Sequence, residues 1–137
     1  METGRFLREM LSQYDNSTTR RAKAVIASGR IFPDWFAVYA FSKEIIEKGL
    51  ADKHWVFDGA PRSRIQAELI DDLVFWHNRP PPLAIYVQVR EKEATQRLLL
   101  RSRSDDRRRS IKNRMRFFSE HVLPVIRHYQ RHGRLLK

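Results

Sequence analysis

The chain has 137 residues, 42% of them hydrophobic, which is enough for one packed core and excludes wholesale disorder. It contains no cysteine, which rules out disulfides, thiolate zinc sites and cysteine nucleophiles. A net charge of +11 and a pI near 10.7 call for an anionic partner or a disordered basic tail, while the lack of a span-length apolar run or a signal-peptide core reads as a soluble, cytoplasmic protein.

In chain order, Thr3 is placed as the N-cap of a short helix over about Arg5 to Gln13. Asp15 to Ser17 reads as a turn, and a second helix runs from about Thr18 to Ser28, stopped by Gly29. A third helix covers about Asp34 to Lys48, with Trp35, Val38, Phe41 and Ile45 on its inner side and Gly49 at its end. His54 to Phe57 is an apolar run expected as a buried strand that stops at the turn signal Asp58-Gly59. Pro61 is expected at the start of the following helix, where its missing N–H costs nothing. That helix, Ser63 to about Trp76, sets Ile65, Leu69, Leu73 and Trp76 at helical spacing. Pro80 to Pro82 forms a stiff connector into a second strand, Leu83 to Val89. A helix over Glu91 to Arg101, a basic turn and a long helix from about Arg107 to Arg131, interrupted at Pro124, come next. Leu135-Leu136 looks like the opening of another strand. Two clear strands, each followed by a helix, indicate βα units of a parallel sheet.

The junction from Trp55 to Gln66 puts a carboxylate, an arginine and free helix-start amides at the carboxyl end of a strand. α/β proteins bind phosphate-bearing ligands at such places, although an ordinary βα turn with a surface arginine fits the same residues. The second signal is Arg97 to Arg116, with eight arginines and one lysine against Asp105 and Asp106. Arg97 and Arg101 share a helix face, Arg103 precedes the two aspartates, and Arg114 lies two turns into the next helix. Two arginine-bearing helices joined by a short loop suit a triphosphate, because arginine grips phosphate oxygens two at a time. A solvated basic helix pair or a nucleic-acid surface is the competing reading. The five histidines show no metal-ligand spacing, and His128 and His132 read as surface residues.

Taken together, these pieces resemble adenylate kinases, within the nucleoside monophosphate kinase family, over nearly the whole chain. Thr3-Gly4 with Leu7-Arg8 resembles T-G-x-x-L-R, and Gly29 to Asp34 resembles the G-x-x-x-P-D turn. Asp58-Gly59-Ala60-Pro61-Arg62 with Gln66 is similar to D-G-F-P-R-x-x-x-Q. Arg97 to Arg101 resembles R-L-x-x-R, and Arg103 to Asp106 with Arg114 resembles R-x-D-D followed by K-x-R. The resemblance implies an α/β, helix-rich protein with a three-layer P-loop NTPase-like core and a parallel sheet, incomplete here. It implies one partial domain over 1–137, an acceptor-nucleotide region over about 3–50 and a short lid over about 101–107. The activity implied is phosphoryl transfer from Mg-ATP to AMP by a monomer, with Mg2+ as the cofactor and a lid that carries no zinc. Thr3, Gly59 and Gln66 would contact the acceptor nucleotide, with Gln66 reading the adenine edge, and Arg8 and Arg62 would clamp its phosphate. Arg101, Arg103 and Arg114 would act on the transferring group, and Arg97 would lie against the donor adenine. Asp58 would help hold Mg2+ through water, and Asp105 and Asp106 belong to the lid.

Ala60 stands where the family has phenylalanine, which keeps a pyrimidine monophosphate open as the acceptor even though Gln66 favours AMP. The five glycines, at 4, 29, 49, 59 and 133, are all isolated, and no G-x-x-x-x-G-K-[ST] loop occurs. The family's first strand and P-loop are expected before Met1, and its last strand and helix after Lys137. In the family's sheet the first strand lies between the two strands visible here, so a gap of roughly 9–10 Å with uncovered apolar faces is expected. The polypeptide alone is therefore expected to be poorly stable and nearly inactive. A non-catalytic nucleic-acid-binding module is disfavoured because Trp35, Phe36, Trp55 and Phe57 sit in core-like patterns away from the arginines, but the basic charge keeps it open.

Overall fold

Local capping sets where the helices begin. Asn16 Oδ1 accepts from the Thr19 amide at 2.9 Å and Thr19 Oγ1 accepts from the Asn16 amide at 2.9 Å, a reciprocal cap that starts α2 (Ser17–Ala27). Thr3 lies inside α1 (Thr3–Gln13) rather than capping it. The computed structural model describes residues 3–28, 32–49, 52–101 and 108–137, with the backbone alone for Thr3 and Phe6. Gly29 to Ile31 of the expected turn therefore lie outside the described residues. α3 (Asp34–Glu47) buries Phe36, Ala37, Ala40, Phe41, Glu44 and Ile45, while Trp35, expected inside, is 61% exposed.

α4 (Arg64–Trp76) is capped by Ser63, whose Oγ accepts from the Gln66 amide at 3.1 Å. Pro61 thus stands in the preceding loop, not at the helix start. The buried stripe of α4 is Gln66, Ala67, Ile70 and Val74. Ile65, Leu69 and Trp76, expected inside, face solvent, and only Leu73 packs inward. Two contacts set this rotation. Ala67 is small enough to sit beneath Val125 and Tyr129, and the Gln66 amide is held by hydrogen bonds described below.

Among the described residues, three apolar clusters pack the elements together. Leu7, Met10, Leu11, Ala22, Phe36 and Ala40 join the first three helices. Phe41, Ile70 and Val74 join α3 to α4, and Trp55 and Phe57 of the preceding loop pack on them. Ala67, Val125 and Tyr129 hold α4 to the chain's last helix and to the sheet.

Within the described residues the sheet is one parallel pair, β1 (Ala84–Ile85) with β2 (Leu135–Leu136), Ala84 facing Leu135 and Ile85 facing Leu136. The expected strand at Leu83–Val89 is thus shorter, and Leu135-Leu136 does open a strand. His54 to Phe57, expected as a buried strand, forms no regular element, and only Asp58 beside it makes an isolated bridge. Val56, Ile85 and Val87 are 72%, 75% and 78% exposed, so the apolar content expected of buried strands meets solvent. This is a helix-rich α/β fold with a small parallel sheet.

α5 (Glu91–Arg101) and α6 (Arg108–Phe117) follow β1. Beyond α6 a five-residue π turn, Phe118–Val122, runs directly into α7 (Leu123–Arg131). The expected interruption at Pro124 is absent. The Leu123 amide bonds to the Phe118 carbonyl, five residues back, and this wider turn makes room for the proline ring without breaking the helix.

β2 is tied to α4 by a charge pair. Arg134 donates from Nη1 and Nη2 to the Asp71 oxygens at 2.9 and 2.7 Å, and the Asp71 hydrogen bond raises the Arg134 pKa. His128, expected at the surface, is half-buried with its Nε2 3.8 Å from Asp71 Oδ2, whereas His132 is exposed. Beside this pair the Tyr129 hydroxyl is pushed up to about 12, by burial first and then by Asp71, with Arg134 opposing. A phenol in an unfolded chain ionises near pH ~10, so the folded state holds this proton more tightly. The stability linked to it is complete below about pH 10 and is lost as the pH rises through about 12. Denaturant titrations at about pH 9.5 and about pH 11.5 are expected to show a fall in stability that Tyr129→Phe reduces; equal falls in both proteins would contradict this.

Candidate active site

A cavity of 720 Å3 opens between α1, the 58–62 loop, α4, α5 and α6. It is lined by Arg8, Asp58, Gly59, Arg62, Gln66, Arg101 and Arg114, which the sequence had scattered over more than a hundred positions. Each arrives by a different local device. Arg8 folds back along α1, with its Nη1 3.3 Å from where a Cβ on Gly4 would stand. Gly59 has φ +74, a conformation that disfavours side chains, and a Cβ there would meet Arg62 Nη2 at 2.9 Å. Arg62 Nε donates to the Gly59 carbonyl at 2.6 Å, so the loop aims its own guanidinium.

Gln66 is the buried centre of the site, 2% exposed. Its Oε1 accepts from the Arg62 amide at 2.9 Å and its Nε2 donates to Asp34 Oδ1 at 2.9 Å. Ser63 Oγ donates to that same Asp34 oxygen at 2.6 Å. A primary amide has two N–H donors and two carbonyl lone pairs, so one of each is left for a ligand.

The electrostatics are those of an anion site. Desolvation lowers the Arg62 pKa, Arg114 lowers it further, and Asp58 works against both. The guanidinium stays charged throughout the working pH range, so the strain of like charges is relieved by an incoming anion. Tyr86 and Phe118 stack at 6.3 Å and line the same cavity, giving it an aromatic wall. Asp58 and Glu91 are its carboxylates. Among the described residues no three His, Cys, Asp or Glu side chains gather as a cage. Mg2+ keeps several waters and binds through one or two carboxylates plus phosphate oxygens, and this donor set fits that mode.

Arg97 does not line the cavity; it lies on the exposed side of α5 and pairs with Glu93. The Thr3 side chain, Arg103, Asp105, Asp106 and most of the 101–107 segment lie outside the described residues. Sequence reasoning missed Asp34 as the anchor of Gln66, although an acidic residue in the first turn of α3 was the available signal. It also missed the Tyr86–Phe118 wall, for which no local pattern exists.

Among the described residues, four arginines and the glycine loop before α4 thus converge on one cavity. The family model described as adenylate kinase matches residues 1–134. Adenylate kinase 2 of Nostoc sp. is 31% identical over 136 residues, covering 99% of this chain and 73% of that protein. The adenylate kinase of Azobacteroides pseudotrichonymphae is 30% identical over 141 residues, covering 100% and 73%. That of Prochlorococcus marinus strain SARG is 27% identical over 133 residues, covering 97% and 71%. The chain belongs to the adenylate kinase family, and is a phosphotransferase by lineage. No helix among the described residues is long and apolar enough to cross a membrane.

The Asp34 bridge has a measurable cost of removal. Asp34→Ala leaves Ser63 Oγ and a buried Gln66 N–H without their acceptor and is expected to lower stability by about 1–3 kcal/mol in urea titrations. A double-mutant cycle with Ser63→Ala should show coupling, and strict additivity would contradict the shared bond.

Proposed function

We propose that this chain carries the acceptor side of an ATP:AMP phosphotransferase. The observation that supports it is the convergence of Arg8, Arg62, Arg101 and Arg114 with Asp58 and Gln66 on one cavity. In the reaction an AMP phosphate oxygen attacks the γ-phosphorus of ATP, the bond from that phosphorus to the β-bridging oxygen breaks, and two ADP leave. Such a transfer asks the protein to position groups and neutralise charge more than to supply covalent chemistry. Arg8 and Arg62 bind and orient the acceptor phosphate, with Arg62 held in aim by the Gly59 carbonyl. Arg101 and Arg114, joined by Arg103 from the lid at about 101–107, stabilise the charge on the group in flight. Gln66 offers its free N–H and lone pair to the adenine edge, and Thr3 and Gly59 complete an acceptor region over about 3–50. Asp58 would help hold Mg2+, which would offset charge on the donor phosphates.

No G-x-x-x-x-G-K-[ST] segment occurs among the 137 residues. The proposal therefore rests on the acceptor side of the reaction, and AMP binding rather than ATP turnover tests it.

Equilibrium titration with AMP tests the reading. Arg62→Gln is expected to weaken AMP binding about tenfold or more, as loss of a charged hydrogen bond requires, while Arg97→Gln leaves it unchanged. AMP should outcompete CMP and UMP. Unaltered binding in Arg62→Gln would sink the assignment, and preference for a pyrimidine nucleotide would move it to another acceptor.

A further inference from the structure

The cavity uses only a few of the chain's 27 lysines and arginines. A second set lies on the opposite side of the helix that forms one cavity wall. α6, the π turn and α7 make one unbroken rod from Arg108 to Arg131, roughly 35 Å long at 1.5 Å per residue. Its inner side buries Ser110, Ile111, Val125 and Tyr129. Its solvent side exposes Arg108, Arg109, Lys112, Arg116, Arg127 and Arg131, none of which lines the cavity. Glu120 is the only acidic side chain from residue 108 onward, and it sits 3.9 Å from Arg116.

We propose that this face is a rail for the phosphate backbone of a nucleic acid, bound without base reading. Its length matches about ten nucleotide steps of a strand at ~3.4 Å each. Five of the six cations are arginines, whose planar forks suit phosphate oxygens. A membrane surface is the poorer match, because no large hydrophobic side chain is exposed between 108 and 131 to enter the lipid. The rail is independent of the kinase reading, since mononucleotide binding uses the other side of the rod.

The test is fluorescence anisotropy with the full chain, using labelled 20-nucleotide single-stranded RNA and a 20-base-pair duplex at about 50–200 mM salt. Binding is expected with a log–log salt slope of about −3 to −5, and saturating AMP should not displace the RNA. The quadruple variant Arg109→Gln, Lys112→Gln, Arg127→Gln, Arg131→Gln should lose about 3 units of that slope and most of its affinity. Arg127→Gln with Arg131→Gln alone should lose about half as much, which keeps the test open if the quadruple variant misfolds. A control with the same charge loss elsewhere, Arg20→Gln, Arg21→Gln, Lys23→Gln and Lys53→Gln, should stay within about threefold of the parent. Equal losses in control and rail variants would overturn the proposal in favour of net charge alone. No binding of either probe at the lowest salt would overturn it too, as would rail-dependent binding to phosphatidylserine vesicles without RNA binding.

Discussion

One carboxylate oxygen of Asp34 organises the site. It accepts from both Ser63 and Gln66, residues about thirty positions downstream, at 2.6 and 2.9 Å, and so locks the start of α3 to the start of α4. Because Ser63 caps α4 while bonded to Asp34, the helix begins at a fixed place and phase. Because Gln66 is bonded on both ends of its amide, a polar residue can occupy the buried stripe without the penalty of an unpaired group. The same amide fixes the Arg62 backbone, and the Gly59 carbonyl fixes its side chain. Loop, helix and guanidinium are thereby set before any ligand arrives.

The distribution of charge follows from this frame. Arginines at Arg8, Arg62, Arg101 and Arg114 are drawn to one cavity from four separate parts of the chain, and Arg62 and Arg114 are close enough to repel. Burying like charges together is unfavourable in isolation and becomes favourable when phosphate occupies the space between them. The outer face of the α6–α7 rod holds its cations apart in water, where they cost little. One helix thus presents two cationic surfaces in different settings, one lining a cavity and one open to water.

Much of this was readable from residue order, and the failures have physical causes. The helices came from hydrophobic spacing and turn residues, and Asp58-Gly59 with Arg62 and Gln66 marked the loop that the structure brings to the cavity. Hydrophobic spacing misplaced the inner face of α4, since Ile65, Leu69 and Trp76 form as regular a stripe as the residues that are buried. Periodicity weighs only apolarity, and here a hydrogen-bonded glutamine and a small alanine decide which side turns inward. Strand lengths were overestimated for a related reason. Apolar content suggests a strand, but a strand needs a partner, and in the described sheet only Ala84–Ile85 and Leu135–Leu136 supply each other. Pro124 misled because a proline breaks an α-helix but not one that widens to a π turn beside it. Asp34 was legible as a helix start and as the end of a turn motif; its role depends on a contact spanning 32 residues, which local pattern does not encode.

The most direct measurement is an amide NMR titration of the protein with AMP. Shifts are expected to concentrate at Gly59 to Gln66, at Arg8 in α1 and at Arg114 in α6, while amides of the outer α7 positions Arg127 and Arg131 stay still. Shifts confined to α7, or spread evenly over the basic surface, would contradict the assignment of the cavity as the nucleotide site.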